Sequence, residues 1–290
     1  MNATHLSAID FDTALSKLTE SRMSVGELDE LINNLGAIRP EYFHHKYEGG
    51  LCLQQVPGEL SAASARLLDR FSGQDIRYLE VGVGSCGTLI YFAHLFQKHG
   101  IGFIPFAVDN FAYTSFLANQ RTRVHWCEKN LGLQFLDGDS TQQNVRTWMG
   151  ERRFDLILVD GDHSFEGCLI DFLTCLPHLE RNGVFLFHDV RSQLCPGVGK
   201  VYDFAKRYFQ DQKVFSHSST CGIGMMEDWN GELPSSVDVA RLCREHIKSL
   251  QLDHARKMSE RDIEGVSLSV KRLAWKRLKQ KAKRLLRHDG

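Results

Sequence analysis

The stretch Tyr78-Leu79-Glu80-Val81-Gly82-Val83-Gly84-Ser85-Cys86-Gly87 decides the reading of the fold. An apolar, β-favouring run breaks into three glycines spaced G-x-G-x-x-G, and Thr88–Lys98 then shows helical periodicity. Glycine lets a chain turn sharply from strand to helix and brings the backbone close to a ligand. A turn of this kind opens at the carboxyl end of its strand, where α/β sheets hold their ligands.

Working outward, apolar strands alternate with amphipathic helices from about residue 60. Strands are expected at Arg77–Val81, Phe103–Val108, Gln134–Leu136, Phe154–Val159, Gly183–Phe187, Lys213–Ser216 and Ile223–Met226. Helices are expected at Ser61–Phe71, Thr88–Lys98, Thr141–Met149, Phe165–Leu179 and Val198–Phe209. Continuous apolar runs such as Leu156-Ile157-Leu158-Val159 suit a parallel sheet covered on both faces. Strand–helix alternation with short connections argues a doubly wound α/β domain. The organisation expected is a helical N-terminal extension or cap (1–50), the α/β domain (51–229), and a helical C-terminal extension (230–290).

Among 290 residues, 42% are hydrophobic and 24% charged, which excludes disorder of the whole chain. No run of 18 apolar residues would span a membrane, and the N-terminus has no secretory apolar core, so a cytoplasmic protein is expected. The eight cysteines show no C-x-x-C or zinc-finger spacing and read as reduced thiols. The net charge of −1 hides an asymmetry: residues 271–287 carry nine Lys/Arg and no acid, leaving an acidic body. Apolar residues recur there at helical spacing, so 268–287 reads as a basic amphipathic tail. It suits packing on the acidic body or an anionic membrane surface at the inner face. No reader motif accompanies the charge, so nucleic acid is not expected as a partner.

The chemistry gathers at strand ends. Glu80 stands two residues before the glycine turn, and a carboxylate in an apolar strand is costly unless paired. It could hold the cationic amino end of S-adenosylmethionine. Asp109 ends the second strand and could accept both hydroxyl protons of a ribose. Asp139 could accept from an adenine amino group, with Ser140 capping the next helix. Asp160-Gly161-Asp162-His163-Ser164 ends the fourth strand and His188-Asp189 the fifth; hard oxygen donors there suit Mg²⁺ or a similar divalent ion. Asp162 reads as a structural acid at a helix N-terminus. Residues 110–130 read either as part of a lid or as ordinary packing.

With these motifs together, the sequence resembles class I S-adenosylmethionine-dependent methyltransferases. It is most similar to the group marked by an L-E-x-G turn, D-G-D-H-S-[FY]-E and an H-D strand end, which includes metal-dependent small-molecule and sugar O-methyltransferases. The resemblance covers about residues 50–226, from Gln55-Val56-Pro57-Gly58-Glu59 to Cys221-Gly222-Ile223-Gly224. It implies a Rossmann-like, mostly parallel seven-stranded sheet whose last strand is antiparallel. It implies that Glu80, Gly82, Gly84 and Gly87 hold the methionine part of the cofactor, Asp109 the ribose, and Asp139 and Ser140 the adenine side. Asp160, His188 and Asp189 would be metal ligands for Mg²⁺ or another divalent cation, although relatives carry an acid or amide where His188 stands. His163 takes the general-base position, where an imidazole titrating near neutrality would deprotonate an acceptor hydroxyl.

The function expected is O-methylation of a hydroxylated small molecule or glycan, with a homo-oligomer left open. Rival readings are an NAD-dependent oxidoreductase using the same glycine turn, a non-catalytic cofactor-binding scaffold, and a hydroxylase on the same scaffold. The oxidoreductase leaves Asp139 and the D-G-D-H segment unexplained.

Overall fold

Tyr78, Leu79 and Val81 bury both faces of a strand, β1 (Asp75–Val81), which is an interior strand of a seven-stranded sheet. The computed structural model describes residues 55–112, 120–216 and 221–253. The other strands are β2 (Gly102–Asp109), β3 (Gln134–Asp137), β4 (Phe154–Val159), β5 (Leu179–Phe187), β6 (Phe209–Phe215) and β7 (Ile223–Trp229). Their order is β3-β2-β1-β4-β5-β7-β6. The pairings from β3 through β5 are parallel, and β7 runs antiparallel to both β5 and β6. The expected doubly wound sheet with an antiparallel last strand is therefore present. The strand order reverses between β1 and β4, and such a switch point opens a crevice at the carboxyl ends of the strands.

Helices α1 (Pro57–Arg70), α2 (Gly87–Lys98), α3 (Gln120–Leu131), α4 (Gln143–Met149), α5 (Phe165–Cys175) and α6 (Pro196–Ala205) accompany the sheet. Residue alternation along the central strands feeds two aromatic cores. On one face Tyr78 meets Phe92 of α2 edge-on at 5.5 Å, and Phe92 stacks on Phe96 at 5.7 Å. On the other, Phe172 of α5 packs on Phe185 and Phe187 at 5.5 and 5.7 Å. Each of these fully buried rings contributes roughly 2–3 kcal/mol by area removed from water. Glu59 in α1 accepts a hydrogen bond from Gly222 N at 3.0 Å, tying the first helix to the start of β7.

Several element bounds differ from those expected. The helix expected to reach Leu179 leaves α-geometry at Cys175, because Pro177 supplies no backbone N–H; a single 3₁₀ turn, Leu176–His178, follows. β5 starts at Leu179 rather than Gly183, so Asn182-Gly183 sits inside it, where the β4–β5 register shifts between Phe154 and Leu156. Proline at the first helical turn moves the starts of α1 and α6 back to Pro57 and Pro196. β6 starts at Phe209 rather than Lys213. Helix α3 was not expected as an element; its polar sequence buries Val124, Cys127 and Arg123.

The chain divides into two compact units, Met1–Leu233 and Pro234–Gly290. The second contains a helix over 236–253, whose first turn is capped by Ser235 Oγ accepting from Asp238 N at 3.1 Å. None of the described helices is long and apolar enough to cross a membrane. The expected N-terminal extension over 1–50 and the basic tail over 268–287 lie outside the described residues.

Candidate active site

Gly82 lies where β1 and β4 end side by side. Its φ is +85°, and a Cβ there would sit 2.3 Å from the Asp160 carbonyl oxygen, so only glycine fits. Gly82 N donates to Val108 O and Asp160 N to Val81 O, both at 2.9 Å, so three strand ends are held together. Two residues on, Gly84 N donates to Asp109 Oδ2 at 2.7 Å, while Phe111 N donates to Asp109 Oδ1 at 2.6 Å. Burial raises the Asp109 pKa, and these two backbone donors oppose the rise. Each carboxylate oxygen keeps a second lone pair for a hydroxyl donor. Ser85 Oγ, buried in the same turn, has no hydrogen-bond partner among the described residues. Gly87 is buried in the first turn of α2.

Glu80 lies buried in β1, where it accepts a hydrogen bond from Tyr78 OH at 2.9 Å. Burial pushes its pKa well above the carboxylate range, against the pull of the Tyr78 bond. Its burial therefore opposes the charged form that the sequence reading asks of it. At the β3 end, Asp139 accepts from Thr141 N at 2.8 Å and from Asn110 Nδ2 at 3.1 Å. Hydrogen bonding by Thr141 holds its pKa down. Ser140 does not cap α4, whose N-cap is Gln142. Its hydroxyl donates instead to the buried Asp171 of α5, whose pKa burial lifts to about 7 against that bond.

The second group is tighter. Asp160, His163, His188 and Asp189 each offer one donor atom, and these atoms lie within 4.8 Å of one another. His163 bridges two carboxylates: Nε2 is 3.2 Å from Asp160 Oδ1, and Nδ1 is 3.2 Å from Asp189 Oδ2. His188 Nδ1 is 2.9 Å from Asp160 Oδ1. Burial favours a protonated Asp160, but the charge of His188 and hydrogen bonds from both imidazoles outweigh it and hold its pKa below the usual range. Burial likewise lowers both histidines, yet they end up raised. Hydrogen bonds to Asp160 and Cys195, with the two Asp charges, take His163 to about 11; the charge and hydrogen bond of Asp160, with Asp189, take His188 to about 9. The imidazole expected to titrate near neutrality at His163 is thus biased toward its charged form, because both ring nitrogens face carboxylates. It is also the solvent-open member, 40% exposed, while the other three side chains are nearly closed off.

Sequence reasoning missed several neighbours. Gln55 donates to Asp160 Oδ2 at 2.6 Å and accepts from Thr88, fixing the carboxylate from a point 105 residues away. Cys195 hydrogen-bonds to His163, and Cys221 to Asp189. Gln55 stood in a quoted motif without a role, and the thiols read only as small apolar residues. Asp162 accepts from Ser164 N at 2.8 Å, and Ser164 caps α5 by accepting from Gly167 N at 3.0 Å, the structural part expected for that acid.

Residues 79–190 match a family model described as a methyltransferase domain. Over that segment the chain is similar to methyltransferase domains. The matched segment runs from within β1 to just past β5, so it includes the glycine turn and all four members of the Asp–His group. No curated protein matches the chain. Among solved structures, the O-methyltransferase NovP is 12% identical, with a TM-score of 0.49, over 76% of this chain and all of its own. CalS11, a TDP-rhamnose 3′-O-methyltransferase, is 17% identical with a TM-score of 0.46, over 73% of this chain and 90% of its own. MycE, in complex with Mg, SAH and mycinamycin VI, is 16% identical with a TM-score of 0.40, over 64% of this chain. This chain spans about half the length of MycE.

Proposed function

We propose that the protein is an S-adenosylmethionine-dependent O-methyltransferase whose acceptor is a hydroxyl of a small molecule or glycan. The observation that carries this is adjacency: the backbone of the glycine turn abuts Asp160, whose carboxylate organises the histidines. A cofactor site and a proton-handling group therefore share one crevice. The turn suits the cofactor on its own evidence, with an unpartnered buried Ser85 hydroxyl and a Gly84 amide fixed by Asp109. Gly82, Gly84 and Gly87 would line the methionine part, with Glu80 beneath, Asp109 at the ribose, and Asp139 and Ser140 toward the adenine. When bound, S-adenosylmethionine supplies a methyl group already activated on a sulfonium.

The chain's own residues then orient the acceptor and take its proton. An alcohol must lose a proton on methylation, and His163 is the group of the cluster open to solvent. It accepts that proton only as neutral imidazole, which Asp160 and Asp189 disfavour; a positive charge entering the site competes for those carboxylates and frees it. Much of the acceleration comes from holding donor and acceptor in line.

The test is incubation with methyl-labelled S-adenosylmethionine and a panel of sugar and polyphenol alcohols, reading methyl ethers by mass spectrometry. His163→Ala should lose at least about 100-fold in rate while keeping S-adenosylhomocysteine binding. Full activity in His163→Ala would remove the proposed role, and methylation confined to nitrogen or carbon acceptors would remove the O-methyltransferase reading.

A further inference from the structure

The Asp–His group contains two imidazoles as well as two carboxylates, and this donor set ranks the divalent cations. Mg²⁺ prefers six oxygen ligands, keeps several waters, and gives up little of its hydration for nitrogen. Imidazole nitrogen with carboxylate oxygen suits Zn²⁺ and its first-row neighbours, in four-coordinate sites of four protein ligands or three with an open position. Here four donor atoms from four residues already lie within 4.8 Å of one another, on two adjacent strand ends. Three of the side chains are at most 7% exposed, so the donors are held rather than free to scatter.

A second observation points to a ligand. Asp189 Oδ1 is buried without a hydrogen-bond partner among the described residues, and it faces His188 Nδ1 at 3.9 Å. A buried carboxylate oxygen left unpaired is costly, more so when charged. Asp189 also sits at φ +63°, an uncommon backbone for a non-glycine residue, and its Oδ2 lies 3.2 Å from His163 Nδ1. Around the four lie partners of the sort that orient metal ligands: Gln55 on Asp160, Cys195 on His163 and Cys221 on Asp189.

We infer that Asp160, His188 and Asp189 form a site for a transition ion of the Zn²⁺ type in preference to Mg²⁺. The inference concerns the donor cluster and needs no assumption about the reaction, so it stands or falls separately from the methyltransferase reading.

The experiment uses the full chain, stripped with chelator and free of cofactor, and reads binding rather than activity. Calorimetry with Zn²⁺ alone and Mg²⁺ alone gives the ratio of their dissociation constants. One Zn²⁺ per chain is expected, at least about 100-fold tighter than Mg²⁺. Since Zn²⁺ outranks Mg²⁺ at many sites, the discriminating variant is His188→Asp, which replaces a nitrogen donor with oxygen. It should lower the Zn²⁺ preference at least about 10-fold. A wild-type measurement covers the case in which that variant does not fold: one equivalent of Cu²⁺, displaceable by Zn²⁺, should show nitrogen hyperfine coupling from imidazole in electron paramagnetic resonance. Mg²⁺ binding as tightly as Zn²⁺, no metal binding, an unchanged ratio in His188→Asp, or no nitrogen coupling would each overturn the inference.

Discussion

Between about pH 6.5 and 8.5 the chelator-treated protein should lose about 2 kcal/mol of stability, most of it through His188. The imidazole is 2% exposed, 2.9 Å from Asp160, and its pKa is raised to about 9. An unfolded histidine titrates near 6.5. The folded state therefore binds this proton more tightly, and the stabilisation is complete below the unfolded value. It declines as pH rises toward the folded value and is gone above it. At 1.36 kcal/mol per unit, integrating this difference over the two units of pH gives the figure above. His163 adds in the same direction, by less, because 40% of its side chain is screened by water. Differential scanning calorimetry should then show a fall in Tm of about 4–8 °C across the range. Asp160→Asn removes the main counter-charge and should flatten this slope while lowering Tm throughout. A wild-type Tm that stays level or rises, or an Asp160→Asn protein with an undiminished slope, would refute the paired-charge account.

Three further outcomes follow from the same geometry. Gly82→Ala forces a Cβ to within 2.3 Å of a backbone oxygen at positive φ, so unfolding should become easier by about 2–4 kcal/mol in denaturant titration. Asp109→Ala frees the Gly84 and Phe111 amides together and should weaken S-adenosylhomocysteine binding at least about 10-fold by calorimetry. In chelator, Asp189→Asn removes one of the two carboxylates holding the His163 proton; the ascending limb of kcat/KM, where His163 loses that proton, should move to lower pH, and an unmoved limb would mean that His163 is not the titrating group.

The strands around β1 were legible because burial on both faces forces continuous apolar runs, as in Leu156–Val159. Helix α3 was not, because Arg123 partly does the anchoring that an apolar stripe does elsewhere: it reaches back to the Ser85 carbonyl at 3.3 Å. The start of β5 was placed late, at Gly183, because the polar Glu180–Asn182 interrupts the apolar run where the strand passes a register shift. At the site, Asp160, His163, His188 and Asp189 could be named since strand ends in this topology converge, whatever their sequence separation. Protonation could not be read, because it depends on burial and distance. Glu80 looks like a counter-charge in sequence, and its burial in β1 raises its pKa; His163 looks like a free base and lies between two carboxylates. Gln55 and the two thiols join the group only through the fold, which brings them in from α1's leading edge and from the segments after β5 and before β7.

The most direct test of the central claim is titration calorimetry of the purified full chain with S-adenosylmethionine, S-adenosylhomocysteine and NAD. The account expects both S-adenosyl ligands to bind at one site per chain, NAD not to bind, and Asp109→Ala to weaken the first two. Binding of NAD alone, or of none of the three by a folded protein, would contradict it.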